Sequence, residues 1–75
     1  MFIVIEIQTN ADGSVGNFVW SFGTLDDAFS KYHSVLSEAA VSSLLVHSCV
    51  VLRNDGQQIA AQSFKHEQTA VGIEE

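Results

Sequence analysis

An α+β domain of order ββαββ is predicted by three features of this 75-residue chain: one capped amphipathic stretch, an alternating apolar pair on each side of it, and an Asp-Gly turn inside each pair. The capped stretch runs from Thr24 to about Ala40, and the turns hold Asp12-Gly13 and Asp55-Gly56. One helix between two hairpins packs on one face of a four-stranded sheet. With a right-handed crossover, the simplest arrangement is all-antiparallel in the order 2-1-3-4. The expected organisation is a single domain over residues 1–66 and a flexible C-terminal tail over 67–75, where Gly72 and the terminal acids keep few apolar residues.

Each element has its own warrant. Phe2 to Thr9 is rich in β-branched residues and alternates Ile3, Ile5, Ile7 with Phe2, Val4, Glu6, Gln8, which is strand periodicity. Asn10 to Ser14 tolerates positive φ and reverses the chain. Asn17 to Phe22 alternates Phe18, Trp20, Phe22 with Val19 and Ser21, a second strand with large aromatics on one side. Gly23 breaks that strand. Thr24 then offers a hydroxyl to the third helical amide, and Asp26 and Asp27 sit at the positive end of the helix dipole. Leu25, Ala28, Phe29, Tyr32, Leu36 and Ala39 or Ala40 fall on one helical face. Leu44 to Arg53 is a third strand, Asn54-Asp55-Gly56 turns it, and Gln57 to about His66 is a fourth.

The strands carry more apolar surface than one helix covers. Ile3, Ile5 and Ile7 are assigned to the helix side, which leaves Phe2 and Val4 on the other. Strand three is similarly two-sided, with Leu45, Cys49, Val51 alternating against Val46, Val50, Leu52. A sheet with one wetted face alternates apolar with polar instead. The second face is therefore expected to be buried in a partner, with Phe18, Trp20, Phe22, Phe2 and Val4 as its contact residues.

Composition agrees. A chain this short removes only about 60 to 65% of its unfolded surface from water, so small domains are commonly reinforced by disulfides, metal or oligomerisation. The lone Cys49 excludes an internal disulfide. A hydrophobic share of 47% against 16% charged residues is high for so small an object, and points to a homo-oligomer, a dimer or larger, or to another protein partner. Nine acidic against three basic residues give a net charge of -6, which repels phosphate backbones and anionic lipid, so neither nucleic acid nor membrane is an expected partner. Met1 to Ile5 lacks a basic leader and meets Glu6 too early for a signal peptide, and no stretch approaches the roughly 20 apolar residues of a bilayer span. One unpaired cysteine suits a reducing cytoplasm.

Residues that carry chemistry elsewhere have plainer roles here. His33, His47, His66 and Cys49 are zinc-binding types, but no CxxC, HxxxH or HExxH spacing exists, so no metal and no cofactor are expected. Cys49 beside a histidine has the makings of a nucleophile pair, yet among valines on a strand it reads as a buried thiol. Asn10, Asp12 and Ser14 imitate the start of a calcium loop without its later glycine and glutamate. Glu6, which interrupts an apolar strand, either faces water at an edge or pairs with Lys65, Arg53 or a histidine. No glycine pattern cradles phosphate.

The stretches Glu6 to Gly13, Val15-Gly16-Asn17, Tyr32 to Leu36 and Ala39 to Ser43 with His47 resemble a group of small phage- and prophage-encoded proteins. The likeness covers most of residues 1–66. It implies a viral or mobile-element context, either in the host cytoplasm or in the virion, and brings no catalytic residues with it.

Two classes of function follow. The leading one is a non-enzymatic, self-associating interaction or assembly protein, because excess apolar sheet surface is joined to an acidic exterior and no convergent polar site. The alternative is a small-molecule-binding or catalytic module with a site between subunits, built from Glu6, Tyr32, His33 and His47. An acidic mimic that blocks a nucleic-acid-binding partner is a third class, weakened by the modest number of helical acids.

Overall fold

The computed structural model describes residues 1–66, and the elements follow the predicted order. β1 spans Phe2–Thr9, β2 Val15–Phe22, α1 Leu25–Ala39, β3 Val46–Arg53 and β4 Gln58–Lys65. Every pairing is antiparallel and the sheet order is β2-β1-β3-β4, so β1 and β3 are central and β2 and β4 are edges. The expected tail at 67–75 lies outside the described residues. Among the described residues no helix is long and apolar enough to cross a membrane.

The two hairpins turn by the same device. The Gly13 N–H donates to the Asn10 carbonyl at 2.9 Å and the Asn10 N–H to the Ser14 carbonyl at 2.9 Å; Gly56 to Arg53 at 2.8 Å and Arg53 to Gln57 at 2.9 Å repeat the pattern. Gly13 and Gly56 take φ of 90° and 89°, a conformation that a Cβ penalises. The carboxylates of Asp12 and Asp55 accept from the Ser14 and Gln57 amides at 2.9 and 3.0 Å. This explains why Asp precedes Gly in both turns: it satisfies the amide just after the bend.

The helix begins as its sequence requires. The Thr24 hydroxyl accepts from the Asp27 N–H at 3.2 Å, and both first-turn acids are present. At the other end the Ala40, Val41 and Ser42 amides donate to the Leu36, Glu38 and Ala39 carbonyls. The His66 ring Nε2 lies 2.8 Å from the Ala39 carbonyl oxygen and donates to it, which ties the end of β4 to the helix terminus. The buried stripe is Ala28, Tyr32, Val35 and Ala39. It is rotated from the expected face: Val35 is in the core, whereas Leu25 is exposed and Phe29 and Leu36 flank it.

The helix covers the opposite side of the sheet from the one assigned above. Val4, with 0% exposure, clusters with Ala28, Tyr32, Val35, Cys49 and Val51, while Phe2, Trp20 and Phe22 pack around that cluster. The assignment of Phe2, Val4, Trp20 and Phe22 to an interface is thus corrected: they are the helix-side core. The physical reason lies in size. Small helix residues, Ala28 and Ala39, bring α1 close to the short side chains of Val4, Cys49 and Val51, and the long aromatics reach up to close its flank. The Lys31 ammonium lies 4.1 Å from the Trp20 ring centroid and seals that flank. Phe18 alone of the aromatics on this side stays open, at 51% exposure, stacked on Trp20 with ring centroids 6.0 Å apart.

Val4→Ala removes two carbons from the best-packed point of the core. It is expected to cost about 2 kcal/mol and to lower Tm by about 8–16 °C in thermal unfolding followed by circular dichroism.

Candidate functional site

Strand alternation places two different surfaces on the two sides of the sheet. Under the helix, β1 and β3 bring together a polar pair. Glu6 lies opposite Cys49 and Gln8 opposite His47 in the β1/β3 register, so Glu6 and His47 meet diagonally across central strands. The His47 Nε2 contacts the Glu6 carboxylate, and the Gln8 Nε2 donates to the same oxygen at 3.0 Å. Exposure is 6% for Glu6 and 3% for His47, so the pair is inside the fold. The His47 Nδ1 is buried with no hydrogen-bond partner among the described residues. Of the open alternatives for Glu6, the histidine pairing is the one adopted.

Cys49 lies between these groups and the helix. Burial, then the nearby Glu6 charge, pushes its thiol up from 9.0 to about 11. Tyr32 is also raised, first by burial and then by Cys49. A thiol held protonated and 1% exposed is the reverse of an activated nucleophile, which needs a lowered pKa and access. His47 and Cys49 occupy successive same-face positions on β3, and Cys49 packs beside the buried Glu6–His47 contact.

The residues of the expected ligand site are divided. Glu6 and His47 join; Tyr32 is in the core, edge-on to Phe29; His33 is on the exposed side of α1, stacked against the Phe29 ring with centroids 5.9 Å apart. Among the described residues no group of three or more His, Cys, Asp or Glu side chains is arranged to hold a metal ion. His66, also weighed as a ligand, is engaged at the helix terminus.

Among the described residues, no helix lies on the other side of the sheet. That side presents Ile3, Ile5, Ile7 and Thr9 from β1, Val15, Asn17, Val19 and Ser21 from β2, and Val46, Val50 and Leu52 from β3. Val19 is 58% exposed. The serines near its middle, Ser48 and Ser63, satisfy each other at 2.9 Å, and with Ile7, Val50 and Ala61 they line a shallow depression. Among the described residues, Lys65 is the only charged side chain that alternation puts on this face. The acids lie elsewhere: Asp12 and Asp55 in the turns, Asp26, Asp27 and Glu38 on the helix, and Glu6 in the core. No protein-family model, no curated protein and no solved structure matches this chain. Function is therefore read from these two surfaces.

His47→Leu leaves the Glu6 carboxylate buried without its partner, and is expected to cost about 3 kcal/mol or more in urea unfolding. The double replacement Glu6→Leu/His47→Leu is expected to recover most of that loss, because an apolar pair needs no desolvated charge. For Cys49, alkylation by iodoacetamide at pH 8 should be far slower than for an unstructured thiol and should speed up in urea. Since the folded thiol binds its proton more tightly, its contribution to stability is complete below pH 9.0 and is lost as pH rises to about 11.

Proposed function

We propose that this chain is a non-enzymatic, self-associating assembly protein, and that the sheet face opposite the helix is the surface through which copies join. The carrying observation is that the central rows of this face, Ile3, Ile5 and Ile7 with Val46, Val50 and Leu52, are apolar and that, among the described residues, Lys65 is its one charge, on a protein of net charge -6. Like-charged molecules associate against their own repulsion unless the acids are kept off the contact. Among the described residues the acids stand on the helix, in the turns and inside the core, so two copies can stack sheet on sheet with their isoleucine rows facing. The interaction surface is thus Ile3, Ile5, Ile7, Val19, Val50 and Leu52. The likeness to phage-encoded proteins supports a viral or prophage setting for such an assembly, within the host cell or in the particle.

A site between subunits built on Glu6 and His47 has less support, since that pair is buried under the helix on the far side of the sheet from the stacking face. The direct test is sedimentation velocity at micromolar protein. The wild type is expected to sediment as more than one chain, and Ile5→Lys, which puts a charge at the centre of the face without touching the core, is expected to lower the number of chains per particle with an unchanged circular dichroism spectrum. A wild type that is monomeric at every concentration, or an unchanged mass for folded Ile5→Lys, overturns the reading.

A further inference from the structure

We infer that β2 is a second self-association site, pairing antiparallel with β2 of another copy about a two-fold axis through Phe18, so that two four-stranded sheets become one of eight strands. The sheet has two edges, and they are treated differently. β4 carries a register shift opposite Val51/Leu52 and ends in Lys65, and a bulge and a lysine are devices that discourage strand addition. β2 has neither: VGNFVWSF holds no charge and no proline, and its eight pairs with β1 run without a shift. α1 packs on the face of β3, β1 and, to a smaller extent, β2, and a helix on the face leaves the in-plane main-chain groups of the edge strand uncovered by it. A long, flat, apolar edge left open is a strand-pairing site.

The register follows from the ladder. The Asn10 to Ser14 bond sets its phase, so the hydrogen-bonded pairs with β1 are those of Gly16, Phe18, Trp20 and Phe22. The amides and carbonyls of Val15, Asn17, Val19 and Ser21 consequently point outward. Centred on Phe18, Val15 meets Ser21 of the second copy and Asn17 meets Val19, so every outward group is paired. A centre one residue later leaves Val15 opposite Gly23, beyond the strand end. The chosen register also sets Gly16 against Trp20, filling the space a glycine leaves on a sheet, and puts the exposed Phe18 ring against its own mate.

Size supports a second copy as the occupant. Four strands of eight residues give one sheet face a footprint of about 500 Å² in projection, and a stable contact grows with the face that two partners can bring together. A two-fold axis normal to the sheet sets both open faces on one side and doubles that footprint. Edge pairing and face stacking together build a closed four-chain particle with three mutually perpendicular two-fold axes.

The edge rests on the main chain of β2 and the stacking face on side chains, chiefly those of β1 and β3, with Val19 belonging to both, so the two are separated by what each variant removes. Asn17→Pro removes one outward N–H and leaves the β1/β2 ladder intact, a place where proline is tolerated. In sedimentation the wild type is expected as four chains, with Asn17→Pro and Ile5→Lys each halving the mass. Four chains retained by folded Asn17→Pro, or two chains that Ile5→Lys alone dissociates, overturn the edge pairing while keeping the face. As a second readout, Phe18→Cys is expected to form an interchain disulfide on mild air oxidation, reversed by dithiothreitol. Its Cα atoms would be about 4.5 Å apart at a non-hydrogen-bonded pair, within the range a disulfide spans. A folded Phe18→Cys that stays reduced and uncrosslinked overturns the proposed axis.

Discussion

One helix of fifteen residues can cover one side of a four-stranded sheet, and in this protein the central strands β1 and β3 carry apolar side chains on both sides. Everything else follows from which side the helix takes. It takes the side where valine, cysteine and alanine allow close approach and where Phe2, Trp20 and Phe22 can rise along its flanks. The rows of β-branched residues left behind form a flat surface, suited to stacking against another sheet and poorly suited to water. On the proposed reading, folding and assembly are two uses of the same hydrophobic effect, divided by the sheet.

The fold was legible in the sequence because its signals are local. Thr24 with Asp27, the Asp-Gly pairs and the alternation of β1 each act within a few residues, so they name caps, turns and strands without tertiary knowledge. The side of the sheet was not legible for the opposite reason. Ile3 and Val4 are equally apolar, and only the packing of Val35 and the small helix residues against Val4, Cys49 and Val51 separates them. The helical stripe was misplaced by one row for the same cause: Val35 and Leu36 both fit the period, and depth against the sheet decided for Val35. Strand alternation did indicate that β1 and β3 carry apolar side chains on both sides.

The polar pair at the centre was half legible. A glutamate inside an apolar strand asks for a partner, and the histidines offered three; the diagonal from Glu6 to His47 depends on the β1/β3 register, which no local feature of either strand reveals. Its energetic role is specific to its place. Two groups desolvated together add little net stability, yet each becomes costly if the strands slip and separate it from the other. The pair therefore acts as a register key: a shift of one residue between β1 and β3 would turn Glu6 to the isoleucine side and strand His47 in the core. The raised thiol of Cys49 is a consequence of that same burial.

The central claim is that the isoleucine face is covered by another copy. Its most direct test is the attenuation of methyl resonances by a soluble paramagnetic agent at a protein concentration where the particle is intact. Val41, 84% exposed beyond the helix end, serves as the accessible reference. The account requires the methyls of Ile3, Ile5 and Ile7 to be protected relative to Val41 to nearly the degree of Val4 and Val35 in the core. Attenuation of the three isoleucines as strong as that of Val41 would contradict it.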